Sequence, residues 1–512
     1  MKTKLTSLTL RIALLALLCA TPIRLRATTY TVTSTNDSGS GSLRASLASA
    51  TNGDTIDMTG VTGTIVLTNG QLNVPNSVTM LGPGASALTV SGNNASRVFN
   101  VTGTNVTISG LTIANGNTTN LNGAGIYAGG GAGSVFTLTG SVITNNSTLL
   151  DGGGIYNSSS VTISNCTISG NGAPGGSGGG IYNSNSTMTV NASTLSGNNA
   201  SVGGGIFNDG EYGSAMLAVN ASTLSGNWAN YGGGIFNDGG YGNATLTINV
   251  STFSTNTAGG GGAIINGGAW GGSSVTLTIN AGTFSGNSAG DGGIENDGRF
   301  DGSATLEIGD TILNAGTSGA TIFSLAGTVT SDGYNLSSDD GGGYLTSTAD
   351  QINTNPLLGP LQNNGGPTFT HALLWGSPAI DQGNRYAAPG LHLNTDQRGF
   401  QRPIDFPGIP NAFGGDGSDI GAFEAQKPLG GNPLRLTRPA ESGNGSFQFS
   451  FTNTFTNTPG ASFTVFSTTN LALPFSSWTM LGAPIVITSG QFQFTDAQAP
   501  NSPQRFYQVT SP

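Results

Sequence analysis

Short runs of alternating apolar and polar residues recur along the middle of the chain, and glycine and asparagine separate them. The clearest element is a Gly-Gly-Gly-Ile-aromatic-Asn string at 152–157, 178–183, 203–208 and 232–237, with looser copies at 261–266 and 292–296. Its isoleucine recurs at 126, 155, 181, 206, 235, 264 and 294, at intervals of 25 to 30 residues. A period of this length is typical of a solenoid of stacked coils.

Each repeat contains three short β-strand patterns. Besides the glycine-rich string, it carries a Leu/Phe-Ser-x-Asn phrase, as at 195–198 and 284–287, and an alternating strand, as at 217–219 and 277–279. One unit cannot close a hydrophobic core, whereas parallel stacking gives every strand partners above and below, at about 4.8 Å. The pattern predicts an all-β fold with inward Leu, Ile, Val and Phe, glycine corners at positive φ, and no amphipathic helices.

The asparagine that ends each string is predicted to form a ladder. Stacking would place these side chains one above another, so that each amide donates a hydrogen bond to the next. The residues concerned are Asn157, Asn183, Asn208, Asn237, Asn266 and Asn296.

Several segments resemble known families of bacterial surface proteins. GGAI at 261–264, with FSTN at 253–256 and FSGN at 284–287, resembles the polymorphic outer-membrane protein repeat of adhesins. NPLLGPLQNNGGPT at 355–368, GSPAID at 376–381 and DIGAFE at 419–424 resemble the choice-of-anchor Q module. These resemblances imply a right-handed parallel β-helix on an exported protein, and they do not imply one particular activity.

The chain divides into five predicted regions. Residues 1–27 combine Lys2 and Lys4 with a short apolar core at 12–18, which is typical of a signal peptide and too short to span a bilayer. The others are a β-helix with an N-terminal cap at 28–345, the anchor-Q module at 346–425 as its C-terminal cap, a linker at 426–435, and a module at 436–512. Alternating aromatics in the last module predict a small antiparallel β-sandwich. No later segment is apolar enough to cross a membrane, so an extracellular or cell-surface location is expected.

Composition narrows the partners and the chemistry. The formal net charge of −10 disfavours nucleic acid as a partner. Without the signal peptide, Cys166 is the single cysteine, so no intrachain disulfide is expected and the thiol is predicted to be a buried space-filler. The two histidines, His371 and His392, are too few for a His-rich metal site. No cofactor is expected other than a tentative Ca²⁺ ion.

Many polysaccharide lyases and hydrolases have a β-helix fold, so the catalytic residues of these two enzyme classes are relevant to this chain. A pectate-lyase site needs an Arg or Lys base near carboxylate-bound Ca²⁺, but no Lys or Arg lies between Arg97 and Arg299. A hydrolase needs two or three converging carboxylates. Asp339 and Asp340 form an adjacent pair that is expected to be a solvated turn. The remaining candidates are Asp301, Glu307 and Asp310.

Charged residues of the anchor-Q module are expected to tie that module together by salt bridges, with a catalytic cluster as the alternative. His371 matches the family motif and is expected to fill a structural pocket. The charged residues are Asp381, Asp396, Arg398, Arg402, Asp419 and Glu424.

Two aromatic columns stand out as candidate binding surfaces. From Asn208 onward the repeat lengthens by about four residues, and each insertion carries an aromatic residue at one offset: Tyr212, Tyr241, Trp270 and Phe300. This file either protects a long turn by ring stacking or forms a glycan platform, because aromatic faces pack against sugar C–H groups. The second column is predicted to point outward, as an exposed patch or beneath a covering loop. It consists of Tyr127, Tyr156, Tyr182, Phe207 and Phe236.

Asp209 and Asp238 follow the ladder asparagine in these insertions and are predicted to lie one coil apart. Like charges at that spacing are destabilising unless they are bridged or solvated. The sequence therefore suggests either a Ca²⁺ ion bound by carboxylate and carbonyl oxygens, or side chains that extend into water.

The leading functional hypothesis is a non-catalytic, exported adhesion or glycan-interaction protein, with a neutral polysaccharide or cell-surface glycan as its ligand. One alternative is a polysaccharide-active β-helix enzyme, a hydrolase rather than an Arg-based pectate lyase. The other is a structural surface spacer. A compact acidic cluster in one groove would favour the enzyme, and failure to bind any ligand would favour the spacer.

Overall fold

A computed structural model describes most of the chain. The described residues are 27–131, 133–268, 271–299, 302–374, 376–386, 392–426, 436–441, 446–452, 463–470, 477–488, 491–501 and 504–510. The predicted signal peptide, apart from its last residue, and most of the predicted linker lie outside the described residues. The fold is nearly all β, with 3% helix.

Residues 29–337 form a right-handed parallel β-helix, which confirms the predicted fold class. Each coil passes through sheets 1, 2 and 3 in turn, and neighbouring coils pair in parallel. Sheet 1 contains Thr29–Thr31, Thr55–Asp57, Thr79–Leu81, Asn105–Ser109, Val135–Thr139, Ser160–Ser164, Thr187–Asn191, Ser214–Asn220, Asn243–Asn249, Ser274–Asn280, Ser303–Gly309 and Thr328–Gly333. Sheet 2 contains Gly63–Val66, Leu88–Ser91, Thr112–Ala114, Val142–Thr144, Thr167–Ser169, Thr194–Ser196, Thr223–Ser225, Thr252–Ser254, Thr283–Asn287, Ile312–Ala315 and Leu336–Ser337.

Sheet 3 carries the glycine-rich strings, and a shorter sheet 4 lies between sheets 2 and 3 in the chain. Sheet 3 contains Leu72–Val74, Phe99–Val101, Ile126–Ala128, Ile155–Asn157, Ile181–Ser184, Ile206–Asp209, Ile235–Asp238, Ile264–Gly267, Ile294–Asp297 and Ile322–Leu325. Sheet 4 contains Asn117–Thr118, Ser147–Thr148, Gly172–Ser177, Asn199–Val202 and Trp228–Tyr231.

A continuous apolar column fills the interior of the helix. The repeat isoleucines Ile155, Ile181, Ile206, Ile235 and Ile264 are fully buried, which confirms their predicted inward position. Alternate residues of each strand point inward because successive side chains of a β-strand lie on opposite faces. The sheet 2 phenylalanines 253 and 284 stack inside the helix with 4.7 Å between ring centroids. Repetition of one coil thus builds a core that no single coil could form.

The predicted asparagine ladder is present. Each side-chain amide from Asn157 to Asn266 donates to the amide oxygen of the next coil's asparagine, at 2.7–2.8 Å. A second buried ladder, which the sequence analysis did not predict, has amide bonds of 2.9–3.0 Å. All of its asparagines except Asn146 end a Ser-Gly-Asn or Ser-Thr-Asn phrase. The six members are Asn146, Asn171, Asn198, Asn227, Asn256 and Asn287. Each ladder satisfies amides that are sealed from water.

The triple glycines form the corner that leads into sheet 3. Gly203 has φ +62°, a conformation that glycine adopts without strain. Gly205 has no such requirement, but a methyl group there would lie 2.5 Å from the carbonyl oxygen of Gly234 in the next coil. The first glycine of the string therefore permits the turn, and the following ones allow adjacent coils to approach closely.

Both ends of the apolar column are covered. A short α-helix, α1 (Leu43–Ser49), packs Leu43 and Leu47 on the first coil and begins at Ser42, whose side chain accepts a hydrogen bond from the backbone of Ala45. The sequence pattern did not indicate this helix, because seven residues are too few to show a helical period, but the predicted nearly helix-free fold is confirmed. At the other end, Leu345 follows a 3₁₀ turn (Gly341–Gly343) and joins the core.

The predicted anchor-Q segment lies along the side of sheet 2 rather than only at the end of the helix. It contains an antiparallel pair, Leu358–Gln362 and Thr370–Leu373. The Thr223 hydroxyl donates to the carbonyl oxygen of Phe369 at 2.6 Å, and that of Thr252 donates to the Gln397 side chain at 2.6 Å. Further along, Ile312 and Leu336 of sheet 2 share an apolar cluster with the segment. The outer face of sheet 2 is thus covered over several successive coils.

The C-terminal region is a small antiparallel β-sandwich, as predicted. One sheet contains Leu436–Glu441, Phe447–Thr452, Ile485–Thr488 and Gln491–Asp496, and the other contains Thr464–Thr468, Thr479–Gly482 and Phe506–Thr510. Both sheets contribute to one core, in which Phe451 packs against Phe463 and Phe492 with ring centroids 5.0 and 5.2 Å apart.

Candidate functional site

The turns that lead from sheet 3 to sheet 1 carry the tyrosine file, defined here as Tyr212 and Tyr241. These residues are 78% and 67% exposed. Their rings stack with 6.4 Å between centroids and 18° between planes. The backbone N–H of Tyr241 donates to the carbonyl oxygen of Glu211 at 2.9 Å, which holds the two turns in register. The file therefore combines ring stacking with a broad area that faces solvent.

The other two predicted members of the file, Trp270 and Phe300, lie outside the described residues. Their place in the file stays a prediction that rests on the repeat. In the coil that follows Asp238, this turn begins differently, because Gly267 and Gly268 stand where the two preceding coils have Asp-Gly.

Asp209 and Asp238 begin the turns that hold the tyrosine file, and they are register partners on adjacent coils. Asp209 accepts hydrogen bonds from the backbone N–H of Glu211 at 2.8 Å and from the Tyr182 hydroxyl at 2.5 Å. Asp238 accepts from the backbone N–H of Gly240 at 3.0 Å. Each aspartate therefore closes its own turn, as Asp commonly does by bonding to the backbone two residues on. The alternative that both extend into water is wrong for Asp209, which is 5% exposed.

Burial raises the pKa of both carboxyl groups. Desolvation is the main cause for Asp238, whose pKa rises to about 7, and the nearby charges of Asp209 and Glu211 add to it. The pKa of Asp209 is also raised, chiefly by burial. Within the described part of the chain, no group of three or more His, Cys, Asp or Glu side chains is placed to hold a metal ion. The tentative Ca²⁺ site would therefore consist of these two carboxylates and backbone oxygens, and it stays a prediction.

The second aromatic column lies on the outer face of sheet 3 as a stacked ladder. Consecutive rings from Tyr127 to Phe236 have centroids 5.1–5.5 Å apart. The Arg97 guanidinium lies 5.0 Å from the Tyr127 ring, and at the other end the same column continues through Ile265 to Glu295. Most rings are half-buried because they pack on one another and beside the glycine corners. The column is thus a largely structural stack rather than an open patch.

Sheet 4 adds two exposed aromatic residues that the sequence analysis did not single out. Trp228 and Tyr231 are 50% and 55% exposed. Alignment of equivalent coils would have indicated these two aromatic residues, because Asn-Trp-Ala-Asn-Tyr at 227–231 replaces Asn-Asn-Ala-Ser-Val at 198–202. Tyr231 pairs with Gly260 of the next coil, and glycine has no side chain that could cover the tyrosine ring.

The described members of the acidic set considered for hydrolysis do not converge. The Asp339 carboxylate accepts hydrogen bonds from the hydroxyls of Thr321 and Ser337 at 2.6 and 2.7 Å, which makes it a turn residue. Glu307 is exposed on the outer face of sheet 1, whereas Asp310 is buried and pairs with Arg402 at 2.6 Å. Asp301 lies outside the described residues. Two other carboxylates, those of Asp291 and Glu295, both approach Gly260 at the corner between sheets 4 and 3.

The charged residues of the segment 346–425 are engaged in structural contacts. Arg398 pairs with Asp396 at 2.7 Å, and Arg402 pairs with Glu424 at 3.4 Å in addition to Asp310 of the helix. The ring nitrogens of His371 bond to the carbonyl oxygen of Gly359 at 2.8 Å and the hydroxyl of Ser254 at 3.0 Å, and burial lowers its pKa. All these groups are buried against the helix, where they hold the segment in place.

Comparison with known proteins adds no assignment: no protein-family model matches the chain, and no curated protein matches it. Among the residues that the structure describes, no helix is both long and apolar enough to cross a membrane. The geometry of the surface is therefore the basis for a functional proposal.

Proposed function

We propose that this chain is an exported, non-catalytic surface protein that binds a neutral glycan along the tyrosine file. One observation carries the proposal: two stacked rings on adjacent turns are 78% and 67% exposed. Aromatic side chains are usually well buried, so a pair this exposed on ordered turns indicates a binding surface. Sugar C–H groups pack on aromatic faces, and the tyrosine hydroxyl adds a hydrogen-bonding group at the edge.

The charges around the file favour a neutral ligand over an acidic one. Asp209, Glu211 and Asp238 lie in these turns, and no Lys or Arg occurs between Arg97 and Arg299. A polyanion would therefore meet like charge, whereas carboxylate and backbone oxygens can accept hydrogen bonds from neutral sugar hydroxyls.

Repetition along the helix is the expected source of useful affinity. A sugar stacked on one ring contributes little, but sugars of one chain on several rings bind as a multivalent ligand. Trp270 and Phe300 are proposed to extend the file by two further coils. The resemblance of 261–264 and 355–424 to exported adhesin and anchor-Q sequences supports a surface location for this activity.

Affinity electrophoresis in gels that contain neutral polysaccharides tests this function. The native chain should be retarded by at least one polysaccharide, and Tyr241→Ala should reduce the retardation. The matched control is Met216→Ala, which removes a side chain of similar exposure (52%) on the outer face of sheet 1. Thermal unfolding of both variants should stay near that of the native chain, because exposed side chains bury little surface. Equal retardation of Tyr241→Ala and the native chain would refute the proposal.

The alternative functions predict other outcomes in the same gels. A hydrolase would release reducing ends from the polysaccharide, which a colorimetric assay of the gel buffer detects. A structural spacer would migrate equally with and without polysaccharide.

A further inference from the structure

A small notch lies at the corner between sheets 4 and 3, one corner away from the tyrosine file. Gly260 forms its floor, where a methyl group would lie 2.8 Å from Oε2 of Glu295, 3.5 Å from Oδ2 of Asp291 and 3.5 Å from Cδ1 of Tyr231. Asp291 and Glu295 come from one coil and Tyr231 comes from the coil two before it, and all three side chains approach Gly260. A larger residue at position 260 would clash with Glu295.

Glu295 is the unusual member of this group. It occupies the outward column of sheet 3, between Ile265 and Phe323, where most other coils have Tyr or Phe. It is 5% exposed, yet none of the described residues forms a hydrogen bond or ion pair with its carboxylate. Arg299, the nearest cation in the chain, is paired with Asp297 at 2.6 Å. Its oxygens are not among the side-chain atoms that are completely sealed from solvent without a partner, so a ligand can reach them. A largely buried carboxylate without a protein partner is costly, and a ligand that supplied one would recover that free energy.

The charged residues around Glu295 indicate that such a ligand carries a positive charge. Burial is the largest cause that raises the pKa of Glu295, which reaches about 7, and the like charges of Asp291 and Asp297 add to it. Arg299 lowers this pKa, but its effect is smaller. A neutral hydroxyl would donate one hydrogen bond but would leave this negative charge uncompensated. An ammonium group carries three donors and a positive charge in a small volume.

We propose that this notch binds the ammonium group of an amino sugar, with the carboxylates of Glu295 and Asp291 on the amine and the Tyr231 ring against the sugar. The Tyr231 ring is 55% exposed beside the carboxylates, which places an apolar surface at the distance of one sugar ring from the charge. Cations also interact favourably with aromatic faces. The site has a different ligand class from the tyrosine file and does not depend on it.

Isothermal titration near neutral pH and low ionic strength tests the proposal with two probes of equal length: a glucosamine oligomer and an N-acetylglucosamine oligomer. The glucosamine oligomer should bind roughly tenfold more tightly, as expected for one charge-assisted contact. Glu295→Gln should remove this difference. The matched control is Glu307→Gln, because it changes an exposed glutamate on the sheet 1 strand that follows Glu295 in the chain. The control should bind as the native chain does.

Stability and a simple amine complete the test. Glu295→Gln should unfold at or above the native temperature, because it removes an uncompensated buried charge, so loss of binding cannot be ascribed to unfolding. In a Tyr241→Ala background the preference for the glucosamine oligomer over the N-acetylglucosamine oligomer should persist, which separates this site from the tyrosine file. Equal binding of the two oligomers, an unchanged Glu295→Gln variant, or equally tight binding of a linear diamine would each overturn the amino-sugar site.

Discussion

At the scale of single residues, buried polar side chains specify how the coils stack. Asn237 is fully buried, accepts the amide of Asn208 at 2.7 Å and donates to Asn266 at 2.8 Å. Such a chain of amides satisfies each member only when neighbouring coils are in register. The ladder thus disfavours a slip that the apolar core alone would tolerate.

Replacing Asn237 with Leu should therefore destabilise the protein by about 1–3 kcal/mol, since both neighbours lose a buried partner. Chemical denaturation monitored by circular dichroism measures the change. Asn230→Leu, at an exposed asparagine of the same coil, should stay within about 0.5 kcal/mol of the native chain. Equal stability of the two variants would mean that the ladder contributes nothing.

Asp238 should make stability depend on pH. Its pKa is 3.8 when unfolded and about 7 when folded, so the folded state favours the protonated form. The stabilisation is complete below 3.8 and is lost as the pH rises through about 7. Asp238→Asn keeps the acceptor for Gly240 and should unfold at a higher temperature than the native chain above this window, with a smaller difference below it. A variant that is less stable at both ends would contradict the assigned burial.

At the scale of the element, the glycine corner determines how closely coils pack. Gly197 and Gly203 have nearly equal φ, +61° and +62°, but a methyl group at Gly197 would meet nothing within 4 Å. At Gly203 it would lie 2.6 Å from the carbonyl oxygen of Ile206. The pair separates backbone strain from steric contact within one coil.

Gly197→Ala should cost about 1–2 kcal/mol, the penalty for a side chain in the left-handed region. Gly203→Ala should cost clearly more, because the backbone must also move. Urea denaturation of the two variants gives the comparison. Equal costs would show that the corner relaxes freely and that close packing does not require glycine there.

The inward columns and the first asparagine ladder were predictable from the sequence, whereas helix α1 and the second ladder were not. The isoleucine and the ladder asparagine recur at the same place on successive coils between 155 and 296, so both follow from stacking. Helix α1 occurs once among the described residues. The second ladder lies at the ends of the Leu/Phe-Ser-x-Asn phrases, which indicated only a β-strand. The exposure of Tyr212 and Tyr241 required the structure, since stacking alone did not distinguish a buried turn from an open one.

At the scale of the whole molecule, the segment 346–425 is joined to the helix by buried ion pairs. Arg402 reaches Asp310, 92 positions earlier in the chain, and also Glu424. The sequence predicted a salt-bridge set within the segment, but no sequence pattern indicated that Asp310 belongs to it. Contacts over such separations depend on where the chain folds back, which no local pattern records.

Arg402→Met should destabilise the attachment of this segment by about 3–5 kcal/mol, because it leaves Asp310 and Glu424 buried without their cation. Limited proteolysis should then cleave the segment 346–425 faster. Arg385→Met, at a partly exposed ion pair with Asp416, should change the rate little. Equal resistance of both variants would contradict a structural role for the buried pair.

The proposed glycan-binding surface is tested most directly by screening the native chain and a Tyr212→Ala/Tyr241→Ala double variant side by side on an array of neutral glycans. The native chain should bind at least one neutral glycan class, and the double variant should lose this binding while it unfolds at the same temperature. Binding by neither protein, or the same binding by both, would rule out the tyrosine file as a glycan-binding surface.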